Sequence, residues 1–173
     1  MTPSLKNILN GHLQKDPIVS LLRENPAVFD EAIHLALQSD ERTAWRAAWV
    51  LFNAMEDHDP RLQPHLPALI CALRGKRDGH QRELLKIIER LKPEEVLEGE
   101  LFYICMGIWE NPGKRPSSRI TAFRVMFGIA KKYPELFQEL KFLLQEHYTE
   151  SLSPGIRNSL RRMVEGSEQE GRQ

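Results

Sequence analysis

Apolar residues recur along this chain at intervals of three and four, in runs separated by short polar breaks that carry proline or glycine. Leu5, Ile8, Leu9 and Leu13 share one helical face and predict a short leading helix from Pro3 to Gln14. Asp16-Pro17 reads as an N-cap followed by the first helical position, and Val19, Leu21 and Leu22 continue that helix. Asn25-Pro26 restarts the chain, with Val28, Phe29, Ile33, Leu35, Ala36 and Leu37 as the apolar stripe up to the polar turn Gln38-Ser39-Asp40. The next helix, Glu41 to Met55, is apolar over so wide a face that burial on more than one side is expected.

The same alternation of breaks and runs continues. Pro64 opens a helix that Gly75 closes, and Gln81 to Leu91 forms its partner. Pro93-Glu94-Glu95 is a further start, placing acidic residues where the helix dipole favours them. That helix runs past Trp109 to Asn111-Pro112-Gly113, and Ser117 or Ser118 caps the next one, which buries Ile120 to Ile129. Tyr133-Pro134 begins a helix through Leu144, and Ser153-Pro154 begins the last, with a polar stretch from Gly166 to Gln173 expected to fray. No segment alternates apolar and polar residues with β-branched enrichment, so no sheet is expected.

These runs repeat. Arg46, Arg82, Arg119 and Arg157 recur at intervals of 36, 37 and 38 residues, each near the start of a helix. Asn25-Pro26-Ala27-Val28-Phe29 matches Tyr133-Pro134-Glu135-Leu136-Phe137 at an offset of 108 residues. A period in this range is that of a stacked array of helix pairs.

The helix-turn-helix period, the prolines at first helices (Pro26, Pro64, Pro93, Pro134) and the arginines at second helices together resemble HEAT and armadillo-type repeats over residues 16–165. The resemblance implies an all-α, right-handed α-α superhelix of about four helix-pair repeats with an N-terminal capping helix. It implies one domain over residues 1–165, with 166–173 as a polar tail. It also implies pairing of a turn aspartate with the repeat arginine. Asp40 and Arg46 fit that pattern, Asp78 and Arg82 lie closer together, and Ser117 or Ser118 and Ser153 replace the aspartate later. The chain is similar to short bacterial helical-repeat proteins sometimes labelled adenylosuccinate lyase. That label is rejected, because the serine-rich catalytic loop of that enzyme is not found in this sequence.

Composition narrows the use of such an array. Lysine plus arginine and aspartate plus glutamate number 24 each, so no global field draws the chain to nucleic acid or to an acidic membrane. The N-terminal stretch lacks the apolar run of a secretory signal and no run is long enough to span a bilayer, so the expected compartment is the cytoplasm. Cys71 and Cys105 lack the spacing of a zinc site or disulfide framework and read as buried free thiols on adjacent helices.

Three clusters are candidates for function. Arg74, Lys76 and Arg77 crowd one turn, and Lys114 and Arg115 crowd the corresponding turn of the next repeat. Stacking would align these turns as a basic edge able to take phosphate or carboxylate at helix N-termini, with Arg82 and Arg119 as structural arginines facing inward. Glu56, Asp57, Asp59, Glu94, Glu95 and Glu98 would make the opposite edge acidic. Glu56, Asp57, His58, Asp59 and His65 lack the ligand spacing of a metal centre, and an acidic helix end before proline explains them. Trp45, Trp49 and Trp109 read first as packing residues, with Trp49 expected to lie buried in the stack. As groove aromatics, they would instead resemble the damaged-nucleotide pocket of helical-repeat alkylation-repair glycosylases. The reading taken forward is a non-enzymatic scaffold for a protein or peptide, with nucleic acid as the alternative partner and no cofactor, metal or membrane role.

Overall fold

The computed structural model describes residues 3–38 and 41–172. Among these the chain forms eleven α-helices and no strand. They group into two compact units, Met1–Leu97 and Glu98–Gln173.

In the first unit, α1 (Leu5–Asn10) is capped by Ser4, whose side chain accepts from the Asn7 amide. Helix α2 (Lys15–Glu24) starts one residue before Asp16, so this aspartate sits in the first turn, where the helix dipole stabilises it, and Gln14 takes the N-cap position. Helix α3 (Pro26–Leu37) opens on its proline as expected. Helix α4 (Glu41–Ala54) packs against α1, α2, α3 and α6. Ala44, Ala47 and Ala48 are fully buried, and their small side chains let several helices approach one axis closely. Phe29, Ile33 and Leu51 fill the remaining space, each burial worth about 1.5–3 kcal/mol relative to exposure.

A 3-10 turn at Gln63–His65 leads into α5 (Leu66–Ala72), and Gly75 turns the chain with φ of 78°. Helix α6 (Asp78–Leu91) begins three residues before the expected Gln81, because Asp78 supplies an acidic first turn. It ends at Lys92 in the left-handed conformation, φ 51°, while the Gln63 side chain donates to the Leu91 carbonyl at 2.9 Å. Helix α7 (Glu95–Glu110) carries the unit boundary in its first turn.

In the second unit, α8 (Pro116–Ala130) starts at its proline with Arg115 at the N-cap, so neither Ser117 nor Ser118 caps it. Helix α9 (Pro134–Phe142) is followed by a one-turn helix, α10 (Glu146–Thr149), that the apolar pattern does not announce. Helix α11 (Pro154–Glu170) starts at the expected Ser153 cap, which accepts from the Ile156 amide. It does not stop at Gly166: it continues to Glu170, and Glu168 forms an ion pair with Lys141 of α9. The core of this unit gathers Trp109, Phe123, Met126 and Leu140, with the Trp109 and Phe123 rings 4.8 Å apart.

Neither cysteine is in a disulfide, and only Cys105 is buried; Cys71 faces solvent from α5, contrary to its apolar sequence context. No described helix is long and apolar enough to cross a membrane.

Candidate binding surfaces

The four repeat arginines have different jobs. Arg119 is 1% exposed. Its Nε–H donates to the Trp109 carbonyl at 2.8 Å, while its two terminal nitrogens donate to the Tyr148 carbonyl and the Ser151 hydroxyl. The guanidinium also lies over the Trp109 ring, 4.9 Å from the centroid. Burial lowers its pKa from the ordinary arginine value. Arg46 donates instead to the carbonyls of Leu9 and Gly11, closing the end of α1. Asp40, its expected partner, lies outside the described residues. Arg82 is half-buried and meets Glu83 at 3.3 Å, and Arg157 is half-buried on α11.

Of the turn cations, Arg74 and Arg77 are exposed in the α5–α6 turn. Lys76 is half-buried there and donates from Nζ to the Gln38 carbonyl at 2.7 Å, which neutralises the end of α3. In the α7–α8 turn Arg115 is exposed and Lys114 half-buried. The Asn111 side chain holds that turn by accepting from the Gly113 amide at 2.9 Å.

The acidic turn after α4 is not a bare negative edge. Asp59 is completely buried and accepts from the amides of Glu56 and Arg61 and from the Arg61 guanidinium at 2.7 and 2.9 Å. Burial alone would raise its pKa, but the Arg61 hydrogen bonds and the backbone amides together hold it below the usual carboxylate range. The same guanidinium stacks 3.6 Å from the centre of the Phe29 ring. Arg90 pairs with Asp57 at 2.8 Å, and Arg23 and Arg90 donate to the last carbonyls of α4. A cleft of about 520 Å³ between Arg23, Met55, Glu56 and Arg61 therefore has balanced charge. No metal-holding group of histidine, cysteine and carboxylate side chains occurs among the described residues.

Among the described residues, two carboxylates besides Asp59 are buried in a way the sequence does not announce. Glu83 is 1% exposed and held by Lys86 at 2.9 Å. Glu98, expected on an acidic edge, is 3% exposed and accepts from Lys132 and from the Tyr133 hydroxyl. Burial pushes its pKa up, but these two hydrogen bonds outweigh it and leave a net lowering.

Trp109 is a core residue: it is wholly buried and donates Nε1–H to the Leu143 carbonyl at 2.9 Å, so it cannot line a groove. Trp49 is half-buried rather than enclosed. Trp45 is 37% exposed and its indole lies against Gly79, whose Cβ position is 3.4 Å from Nε1. On the second unit, Met106 of α7 with Gln138, Glu139, Phe142 and Leu143 of α9 and its following turn line an apolar groove of about 380 Å³.

A family model described as HEAT repeat domain matches residues 5–166. Comparison with curated proteins and with solved structures returns no significant match.

Proposed function

The chain belongs to the HEAT repeat domain family, and on that premise we propose that it is a non-enzymatic scaffold that binds a protein or peptide through helix-bearing turns rich in lysine and arginine. The observation that carries this reading is the division of labour among the turn cations. Arg119 is sealed into the fold, whereas Arg115 four residues before it, and Arg74 and Arg77 in the earlier turn, lie on the surface. The packing that requires Arg119 therefore does not bury these three. Helix N-termini beside them add partial positive charge, so carboxylates of a partner are the groups these turns attract.

The test is a titration with an acidic helical peptide and, separately, with a DNA duplex. Changing Arg74, Arg77 and Arg115 to glutamate should abolish peptide binding while leaving the helical circular dichroism intact. Undiminished peptide binding overturns the reading. Tight duplex binding with a steep salt dependence would assign the turns to nucleic acid instead.

A further inference from the structure

Helices α7 and α9 leave an apolar groove open on the second unit, lined by Met106, Phe142 and Leu143 with Gln138 and Glu139 at its margin. Phe142 is 66% exposed, and Tyr103, one turn before Met106 on α7, is 68% exposed. Large apolar side chains clustered around a concavity mark a surface built to be covered.

Two further observations say by what. The first is that Gly99 and Gly107 stand four residues either side of Tyr103, on the solvent face of α7. A Cβ built at either position meets nothing within 4 Å, so internal packing does not require glycine there. Glycine inside a helix is destabilising relative to alanine. What the missing side chains do provide is close approach for another backbone.

The second is charge. From Gly99 to its end α7 carries Glu100 and Glu110 and neither lysine nor arginine, and α9 exposes Glu135 and Glu139. The one cation of α9, Lys141, is ion-paired with Glu168 of α11. The groove is thus apolar at its centre with Glu139 on its wall, and the two helices that form it carry further exposed carboxylates.

We propose that this groove docks an amphipathic helix of a partner protein, its bulky apolar residue seated between Met106 and Phe142 and its lysines or arginines meeting Glu139 and the other exposed carboxylates of α7 and α9. This is a helix-in-groove contact, with the apolar anchor supplying affinity and the carboxylates selecting sign. It goes beyond the function proposed above, since it uses different residues and a partner of opposite charge.

The probe is a fluorescein-labelled synthetic helix of leucine and lysine with one phenylalanine anchor, titrated with the full chain and read by anisotropy. A matched peptide with glutamate in place of lysine is the control. The lysine peptide should saturate and bind at least about tenfold more tightly than the control. Phe142→Lys should weaken it by about tenfold or more, and Glu110→Lys with Glu139→Lys should reverse the preference between the two peptides. Gly99→Ala and Gly107→Ala should raise the melting temperature yet weaken binding, a split that a purely structural role cannot produce. Reversing Arg74, Arg77 and Arg115 should leave this binding unchanged, so failure here and failure of the earlier proposal are distinguishable. Equal affinity for both peptides, or undiminished binding by Phe142→Lys, overturns the proposal. So does a dimer in sedimentation equilibrium that Phe142→Lys dissociates, since the occupant is then a second copy of the chain.

Discussion

The Nε–H of Arg119 donates to the backbone carbonyl of Trp109 at 2.8 Å, which fixes the start of α8 to the end of α7. The same guanidinium reaches Tyr148 and Ser151, so one side chain closes three otherwise open ends of backbone or turn.

Removing it should be costly. Arg119→Ala deprives the buried Trp109 carbonyl and the part-buried Tyr148 carbonyl of this donor and opens a large cavity, for an expected loss of about 3–5 kcal/mol in urea unfolding. Arg157→Ala, at the equivalent place in the sequence period, should cost less than about 0.5 kcal/mol. Equal losses would mean that the arginines are interchangeable parts of the repeat.

Acid should destabilise the protein partly through Glu98. Its folded pKa lies below its unfolded one, so its contribution is fully present above the unfolded value, about 4.3, and is lost as pH falls through the folded value. Asp59 acts in the same sense from about 3.9 downward. Urea midpoints measured from pH 6 downward should therefore decline below about pH 4.5. Glu98→Gln should show a shallower decline over that window than the parent chain.

The three tryptophans should be separable by fluorescence. In single-tryptophan variants, Trp109 should emit furthest to the blue and resist iodide quenching, while Trp45 should be quenched readily. Trp109→Ala should cost about 3–5 kcal/mol. Trp49→Ala should cost about 1–2 kcal/mol, because a half-buried ring removes less surface from water.

Two turn residues share the left-handed conformation, one suited to it and one not. Gly75 sits at φ 78° in open space, so Gly75→Ala should cost about 1 kcal/mol from backbone strain alone. Lys92 holds φ 51° with a side chain that conformation disfavours, so Lys92→Gly should stabilise by about 0.5 kcal/mol. Thermal unfolding of the two variants should shift in opposite directions.

What could be seen in the sequence was whatever follows from local chemistry. Pro26 and Pro134 start helices because a fixed φ and a missing donor suit the first helical position, wherever the rest of the chain goes. Helix α10 escaped notice because its four residues, Glu146–Thr149, are too short for any apolar period. The larger departures from the sequence pattern concern charge. Glu98 reads as a surface acid, because nothing adjacent to it announces Lys132 and Tyr133, which are distant in sequence and near in space. The groove beside Met106 was illegible for the same reason: its other wall arrives from α9. Trp109 could be placed in the core on base expectation, but the carbonyl of Leu143 that receives its N–H could not be named.

The contrast between the two cysteines has a practical consequence. A thiol reagent should modify Cys71 in the first unit at once, while Cys105, wholly buried in the second, reacts only when that unit opens. With Cys71 replaced by serine, the rate of labelling becomes a stopwatch for the opening of the second unit, started by the reagent and read by mass.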